Sequence, residues 1–259
     1  FYERYGVGIF AFHKAFRFDG EKIVPVANEN LSNMTLDDLI GYDIQKAELV
    51  RNTEAFIAGR PANNVLLYGD GGTGKSTSVK ALLNEYCDEG LRVIEIFRHQ
   101  FRDILRISES LRRRNYKFIL FIDDLSFEEG EVEYKYLKAV IEGGIETRPD
   151  NILIYATSNR RHIVREVWKD RDDMEHKGDI HRSDTVEEKL SLSSRFGVAI
   201  NYSSPDRKMY HEIVRSLAEK AGLKVDDELI AGADRWEIRH GGKTGRAARQ
   251  YIDYLLGRA

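Results

Sequence analysis

A glycine-rich stretch in the first third of the chain carries the most specific chemical signal. Residues 69–76 match the phosphate-binding loop pattern G-x-x-x-x-G-K-[ST]. Glycines allow several backbone N–H groups to face one point, and a following helix adds partial positive charge there. Lys75 would reach the β- and γ-phosphates of a nucleotide, and the Ser76 hydroxyl would ligate Mg²⁺. The residues expected to bind the nucleotide here are Gly69, Asp70, Gly71, Gly72, Thr73, Gly74, Lys75, Ser76 and Thr77.

Two acidic residues follow a continuous apolar run later in the chain. Asp123 and Asp124 come directly after residues 118–122, a run expected to form a strand covered on both faces. In a parallel sheet, both acids emerge at the edge that faces a ligand crevice, beside the phosphate-binding loop. We expect Asp123 to hold Mg²⁺ and Asp124 to orient or deprotonate an attacking water. The alternative is a pair of acids that caps the next turn through Ser126.

Strands and amphipathic helices alternate around these motifs, which predicts a parallel α/β sheet. The expected strands are residues 65–68, 92–97, 118–122, 151–157 and 197–201, and the expected helices include residues 77–88, 101–114 and 131–142. Upstream, Asp19-Gly20 between residues 16–18 and 21–24 is typical of a hairpin with a two-residue turn. After Pro205 the apolar pattern is helical, which indicates a small subdomain. The charged stretch 169–189 predicts a solvated loop or, alternatively, a partner-binding insertion.

Composition excludes several classes of protein. Hydrophobic residues make up 42% and charged residues 32% of the 259 residues, so the chain can bury a core and is not disordered by composition. No uncharged apolar run approaches the ~20 residues that span a bilayer, so we expect no membrane contact. The net charge of -3 weighs against a protein that coats nucleic acid, although local contact with DNA stays open.

The cysteine content bears on the cellular location of the protein, and the first residue bears on where the sequence starts. The single cysteine, Cys87, cannot form an internal disulfide or a cysteine-based metal site, and we expect a cytoplasmic location. The chain begins at Phe1 and not at methionine, so we expect an N-terminal part to be missing.

The order of the motifs resembles that of AAA+ ATPases. The phosphate-binding loop is followed by Ile122-Asp123-Asp124, by Ala156-Thr157-Ser158-Asn159 and by Leu192-Ser193-Ser194-Arg195-Phe196-Gly197. Residues 35–42 resemble the AAA+ segment whose backbone frames the adenine, which implies that Gly41 and Tyr42 lie at the nucleotide. Residues 245–250 resemble the sensor-2 helix. More narrowly, the chain resembles a bacterial family of ATP-binding AAA+ proteins described only as a domain of unknown function.

The resemblance covers about residues 35–259 and implies a fold. It implies an α/β core with a five-stranded parallel sheet between helices, in the strand order of the additional-strand class of P-loop proteins. The implied divisions are an N-terminal extension with a β-hairpin at residues 1–34, a nucleotide-binding core at 35–204 and a helical lid at 205–259.

The resemblance also implies roles for three further residues. Asn159 matches sensor 1, which positions the water and senses the γ-phosphate. Arg195 matches the arginine finger, which a subunit supplies to its neighbour's nucleotide, where it stabilises charge in the transition state. Arg246 matches sensor 2, and Arg249 is the competing candidate for that role.

One departure from the family pattern concerns the rate of hydrolysis. Most AAA+ proteins have glutamate at the position of Asp124, and the shorter aspartate would place its carboxylate about 1.5 Å further from the water. Adjacent aspartates also resemble the replication-initiator and helicase-loader branch, in which ATP often acts as a switch. Slow turnover is therefore expected.

These implications lead to one functional hypothesis and two alternatives. We expect a homo-oligomer that binds and hydrolyses Mg-ATP to ADP between subunits and remodels or releases a protein client. The first alternative is a slow ATP-dependent switch or loader that acts with a DNA-bound partner. The second is a P-loop kinase for a small molecule, which would have no use for Asn159, Arg195 and Arg246 in this order.

Overall fold

The computed structural model describes residues 8–127, 133–142, 149–159 and 195–258. The strands in these ranges are β1 (Ala15–Phe18), β2 (Ile23–Pro25), β3 (Val65–Gly69), β4 (Leu91–Glu95), β5 (Lys117–Ile122), β6 (Ile152–Ser158) and β7 (Val198–Tyr202). The α-helices are α1 (Ile9–Phe12), α2 (Asp43–Ile57), α3 (Lys75–Tyr86), α4 (Ile104–Leu111), α5 (Glu133–Glu142), α6 (Arg207–Lys220), α7 (Asp227–Arg239) and α8 (Gly245–Leu256). Short 3₁₀ turns cover Asn28–Asn30, Leu36–Asp38, Cys87–Glu89 and Arg98–Asp103.

The described strands form one sheet in the order β2-β1-β4-β5-β6-β3-β7. Every neighbouring pair is parallel except β1 and β2. Strand β6 lies between β3, which leads into the phosphate-binding loop, and β5, which leads into the two aspartates. The α/β fold and the additional-strand order expected from the sequence are therefore confirmed.

The N-terminal hairpin continues the central sheet. Strand β1 pairs antiparallel with β2 on one side and parallel with β4 on the other. The sheet therefore has seven strands among the described residues, two more than the five expected for the core alone. The guanidinium of Arg17 binds Glu95 across the β1–β4 junction at 2.7 Å.

The hairpin turn differs from the predicted two-residue turn. Strand pairing ends at Phe18 and Ile23, which leaves a four-residue connection between the strands. The Asp19 carboxylate accepts hydrogen bonds from the backbone N–H groups of Glu21, at 2.9 Å, and Lys22, at 2.8 Å. Because these side-chain bonds satisfy the turn's donors, the loop does not need the tighter geometry expected of Asp-Gly.

Apolar layers cover both faces of the sheet. Along β5, Phe118, Leu120 and Ile122 face one buried cluster, and Ile119 and Phe121 face the other. This alternation explains why the strand reads as an uninterrupted apolar run. The cluster on the Phe118 side includes α4 residues, and the other includes α2 and α3 residues.

The second crossover begins differently from the prediction of one helix over residues 101–114. Residues Arg98–Asp103 form 3₁₀ turns, and the α-helix runs only from Ile104 to Leu111. The Gln100 side chain accepts a hydrogen bond from the Phe97 N–H at 3.0 Å and donates to the Phe18 carbonyl at 2.7 Å. These two bonds hold the tighter turn against the hairpin.

Helices α6, α7 and α8 form a C-terminal subdomain with its own apolar core. Tyr210, Val214, Ala233 and Ala248 are completely buried in it. Each of the three helices begins at a side-chain N-cap, which is Asp206, Asp226 or Thr244. In the described ranges, no helix combines the length and apolarity needed to cross a membrane. The predicted loop at 169–189 lies outside the described residues.

Candidate nucleotide-binding site

The phosphate-binding loop connects the carboxyl end of β3 to the start of α3. Gly74, with φ +98°, adopts the left-handed conformation and leads directly into the helix at Lys75, two residues earlier than predicted. Gly69, with φ +131°, and Gly72, with φ +76°, are the other glycines of the loop with positive φ. A side chain at Gly74 would collide with Leu39. The glycines thus permit the curled backbone that a phosphate cradle requires.

Lys75 lies inside this loop and is only 4% exposed. Its Nζ donates hydrogen bonds to the carbonyl oxygens of Asp70, at 2.6 Å, and Gly69, at 3.3 Å. Burial lowers the pKa of the ammonium group, and nearby carboxylates, with Asp70 first, oppose that shift. A partly desolvated cation therefore lies at the centre of the predicted phosphate site.

Asp123 joins the loop to the end of β5. Its Oδ1 accepts a hydrogen bond from Ser76 Oγ at 2.5 Å and another from Thr157 Oγ1 at 2.6 Å. The pairing of β5 with β6 brings Thr157, which is 2% exposed, to this position. Hydroxyl and carboxylate oxygens are ligands that Mg²⁺ prefers, so Ser76 and Asp123 fit the predicted metal role.

Asp124 and Asn159 meet across the same edge of the sheet. Asp124 has φ +56°, which is uncommon outside glycine, and its N–H donates to Thr157 Oγ1 at 2.9 Å. Its Oδ1 accepts a hydrogen bond from Asn159 Nδ2 at 2.9 Å. The Asn159 Oδ1 atom lies 4.0 Å from where a Cβ on Gly71 would stand, so this pair faces the phosphate-binding loop.

Gly41 and Tyr42 lie where the core meets the C-terminal subdomain. A Cβ at Gly41 would lie 2.9 Å from the sulfur of Met209 on α6. The Tyr42 side chain is buried, stacks on Tyr202 with 5.0 Å between ring centroids, and donates a hydrogen bond to the Ser203 carbonyl at 2.8 Å. Burial raises the pKa of this phenol, so it stays neutral. The Tyr42 ring therefore supports the segment between β7 and α6, and only its backbone remains a candidate frame for adenine.

Arg246 lies in the first turn of α8, directly against the loop. Its backbone N–H donates to the Gly72 carbonyl at 3.3 Å, and its Cβ lies 3.0 Å from where a Cβ on Gly72 would stand. The charge of Arg246 also contributes to lowering the pKa of Lys75. Arg249 follows one helical turn later, and both arginines are exposed. Of the two predicted sensor-2 candidates, Arg246 is the one beside the loop.

Arg195 lies near the amino ends of the strands, whereas the phosphate-binding loop begins at a carboxyl end. It precedes β7, whose first residue, Val198, pairs with Val65 at the amino end of β3. The phosphate-binding loop follows Gly69 at the carboxyl end of the same strand. Strand β3 spans about 13 Å between its terminal Cα atoms, so the start of β7 and the phosphate-binding loop lie at opposite ends of β3.

Two residues at the site were not assigned a role from the sequence. Thr157 links both aspartates, as described above. Ser204 donates two hydrogen bonds to the Asp70 carboxylate, from its backbone N and from its hydroxyl, both at 2.8 Å. A polar residue near the carboxyl end of β6 was a usable signal for Thr157, whereas no local pattern marks Ser204.

Comparison with known proteins places the fold. The RuvB Holliday junction branch migration motor of Thermotoga maritima superposes with a TM-score of 0.56 and 20% identity, over 86% of this chain and 64% of that chain. A 26S proteasome regulatory subunit 6B homolog from Encephalitozoon cuniculi is 23% identical over 81% of this chain and 56% of its own length. A Cell division cycle protein 48 homolog from Archaeoglobus fulgidus is 27% identical over 65% of this chain and 22% of its own length. The chain thus spans about half or less of these curated relatives.

A family profile gives the closer assignment. The family described as "Protein of unknown function (DUF815)" matches residues 11–259, which include every site residue discussed above. The strand order and the RuvB-like fold agree with the motif series of the sequence. The chain therefore belongs to the DUF815 family and has the AAA+ form of the P-loop fold.

Proposed function

We propose that this protein binds Mg-ATP at the carboxyl ends of β3, β5 and β6 and hydrolyses it to ADP and phosphate. The observation that carries the proposal is one hydrogen-bonded network across three strand ends. It runs from Ser76 through Asp123 and Thr157 to Asp124 and Asn159. The network places hydroxyl, carboxylate and amide groups beside a loop that contains a buried lysine.

Each group would have a separate task in the reaction. Lys75 would exchange its backbone carbonyl partners for phosphate oxygens, which are stronger acceptors because they are charged. Bound Mg²⁺, held by Ser76 and Asp123, would neutralise charge on the β- and γ-phosphates. Asp124 would orient and deprotonate water, with Asn159 holding its carboxylate in position.

Arginine side chains would complete the site from two directions. The position of Arg246 beside Gly72 supports a role on the γ-phosphate of the same chain. Arg195 lies beyond the far end of β3 from its own loop, which supports a role on the nucleotide of a neighbouring copy. We therefore propose a head-to-tail homo-oligomer with composite sites. Such an assembly would use hydrolysis to remodel or release a protein client.

The test is to measure nucleotide binding and hydrolysis together. Asp124→Asn should retain ATP and slow hydrolysis by about 100-fold or more, the usual effect of removing a positioned base. The rate per subunit should rise with protein concentration if sites form between copies. A purified chain that shows no Mg-ATP binding by calorimetry would refute the proposal. Phosphate transfer that requires a small-molecule acceptor would favour the kinase alternative.

A slow nucleotide-dependent switch is the second candidate function. The observation that favours it is the engagement of the Asp124 carboxylate by Asn159, together with the short reach of aspartate. In this version ATP binding, and not repeated hydrolysis, would hold or load a partner, including one bound to DNA. Turnover that stays slow in the presence of candidate clients and DNA would favour the switch.

The single cysteine supports a cytoplasmic setting for either function.

A further inference from the structure

The segment that joins the core to the C-terminal subdomain is bonded directly to the phosphate-binding loop. We call residues 203–205, between β7 and α6, the hinge. Asp70 Oδ2 accepts the backbone N–H of Ser204 and its hydroxyl, both at 2.8 Å. Asp70 is the second residue of the loop, so these bonds connect the predicted phosphate cradle to the entry of the subdomain.

Neighbouring contacts restrict the hinge further. The Tyr42 hydroxyl donates to the Ser203 carbonyl at 2.8 Å, and the Tyr202 hydroxyl shares a 3.0 Å hydrogen bond with Ser78 of α3. Pro205 has a fixed φ and disfavours the helical conformation for Ser204. The hinge therefore has few backbone torsions that can rotate freely. Its bonds to Asp70 use both the backbone N–H and the hydroxyl of Ser204.

The same loop also touches the subdomain at a second point. The Gly72 carbonyl accepts the backbone N–H of Arg246 at 3.3 Å. Asp70 and Gly72 are separated by one residue, so one short piece of loop contacts both the entry to α6 and the start of α8. A change in the backbone of this piece would displace the subdomain at two places together.

We propose that Asp70 is a positioning residue that latches the hinge to the phosphate-binding loop and sets the orientation of the C-terminal subdomain. The two bonds anchor Ser204 at two of its atoms, the backbone N and the hydroxyl oxygen. The latch is a property of the chain without nucleotide. Its consequence, the placement of Arg246 over the γ-phosphate, rests on the proposed function.

A competing explanation is that Asp70 acts only through its charge on Lys75. The variant Asp70→Asn distinguishes the two explanations. An asparagine carbonyl oxygen can accept both bonds from Ser204 but carries no charge. If the latch matters, Asp70→Asn resembles the unmutated chain and Asp70→Ala does not. If only charge matters, both variants behave alike.

The test is a distance measurement between the core and the subdomain without nucleotide. Cysteines for spin labels replace Glu89 in the core and Ile238 in α7, both exposed, in a Cys87→Ser background. Asp70→Ala should increase the population outside the main distance by about threefold to tenfold. Ser204→Ala, which removes the hydroxyl bond and keeps the backbone bond, should give a smaller increase. Asp150→Ala, which removes an exposed acid elsewhere, should leave the distribution unchanged.

Two results would overturn the latch. One is an unchanged distribution in both Asp70→Ala and Ser204→Ala, and the other is an Asp70→Asn distribution as broad as that of Asp70→Ala. Titration with Mg-ADP separates this inference from the proposed function. An unmutated chain that fails to bind Mg-ADP refutes the proposed function, and the distance distributions still decide the latch.

Discussion

The ammonium group of Lys75 is bonded to backbone carbonyls that phosphate oxygens would replace. We expect Lys75→Ala to abolish ATP binding in calorimetry, because the loop loses the buried cation of the predicted phosphate site. Lys80→Ala removes an exposed lysine from the same helix and should bind normally. The Tm of Lys75→Ala should stay near that of the unmutated chain. Unchanged ATP affinity in Lys75→Ala would contradict the phosphate role.

Thr157 offers a test of how the two aspartates are held. Thr157→Val keeps the side-chain shape but removes the donor to Asp123 and the acceptor of the Asp124 N–H. We expect hydrolysis to fall by about tenfold or more and the Mg²⁺ requirement to rise, with a stability loss of about 1–3 kcal/mol.

A matched control for Thr157 exists on helix α2. Thr53 is completely buried and its hydroxyl binds the Leu49 carbonyl and the Tyr155 hydroxyl, away from the site. Thr53→Val should lower the Tm to a similar degree without changing the Mg²⁺ dependence of hydrolysis. Equal Mg²⁺ dependence in both variants would show that Thr157 acts on stability alone.

Residue types at fixed spacing explain why part of the site could be predicted. The loop motif and the acids after β5 are local patterns whose chemistry requires those residues, and Lys75, Ser76 and Asp123 lie together as expected. The role of Thr157 depends on which strand lies beside β5 and in what register. The neighbour and the register of β5 are set by packing between segments that are far apart in the chain. No local sequence pattern reports them.

At the scale of elements, a surface ion pair fastens the C-terminal subdomain to the core. Asp38, in the turn Leu36–Asp38, binds Lys220 at the end of α6 and also caps Thr35. The hydrogen bond from Lys220, followed by that from Thr35, lowers the pKa of Asp38 to about 2. A carboxyl group whose pKa is lowered by folding stabilises the folded state at pH values above its ordinary pKa, which is about 3.9 for aspartate. That contribution is lost as the pH falls toward 2.

We expect Asp38→Asn to lower the Tm by about 2 °C or less at pH 7, since the pair is partly exposed. The asparagine oxygen can still cap Thr35, so the change isolates the bond to Lys220. The difference in Tm between Asp38→Asn and the unmutated chain should shrink between pH 4 and pH 2.5. Lys220→Met should show the same difference at pH 7, and the double variant should add little. A difference at pH 2.5 as large as that at pH 7 would contradict this assignment.

The elements also show where prediction from sequence ended. Alternating apolar runs located the five core strands to within about two residues, because strands buried on both faces have few polar positions. The joining of the hairpin to the sheet was missed, since β1 pairs with β4 across 78 residues, as at Arg17 and Glu95. Hairpin strands have a local signal, whereas their second partner does not.

At the scale of the whole molecule, the position of Arg195 predicts complementation between inactive variants. Under the proposed function, Arg195→Ala would keep a complete site but offer no finger, and Asp124→Asn would offer a finger but have a dead site. Each alone should be nearly inactive. Mixed one to one, about a quarter of head-to-tail interfaces would pair an intact site with an intact finger, so activity should return to at most about that fraction.

The controls for this mixture are assembly and an unrelated arginine. Arg60→Ala changes an exposed arginine in the turn after α2 and should be active alone. One inactive variant carries a tag that makes its copies larger. Co-assembly is verified when oligomers purified by the tag contain copies of both sizes. A co-assembled mixture no more active than its components would show that Arg195 does not act on a neighbouring copy.

The strand order has a consequence for the way the chain is made. Strand β3 pairs only with β6 and β7 among the described strands, and both follow it by more than 80 residues. At ordinary rates of synthesis, an apolar strand with unpaired backbone groups would wait roughly 4–16 s for its first neighbour. Such a strand is a template for aggregation, so we expect nascent chains to need a holding chaperone during this interval.

Stalled nascent chains test this expectation. Chains that end before β6 should be cleaved by protease within Val65–Gly69, whereas chains with β6 and β7 outside the ribosome should resist cleavage there. Resistance in the shorter chains would contradict the expected order of assembly. Because Asp123 and Asn159 reach the loop only through those late strands, the nascent protein should acquire its nucleotide only near the end of its synthesis.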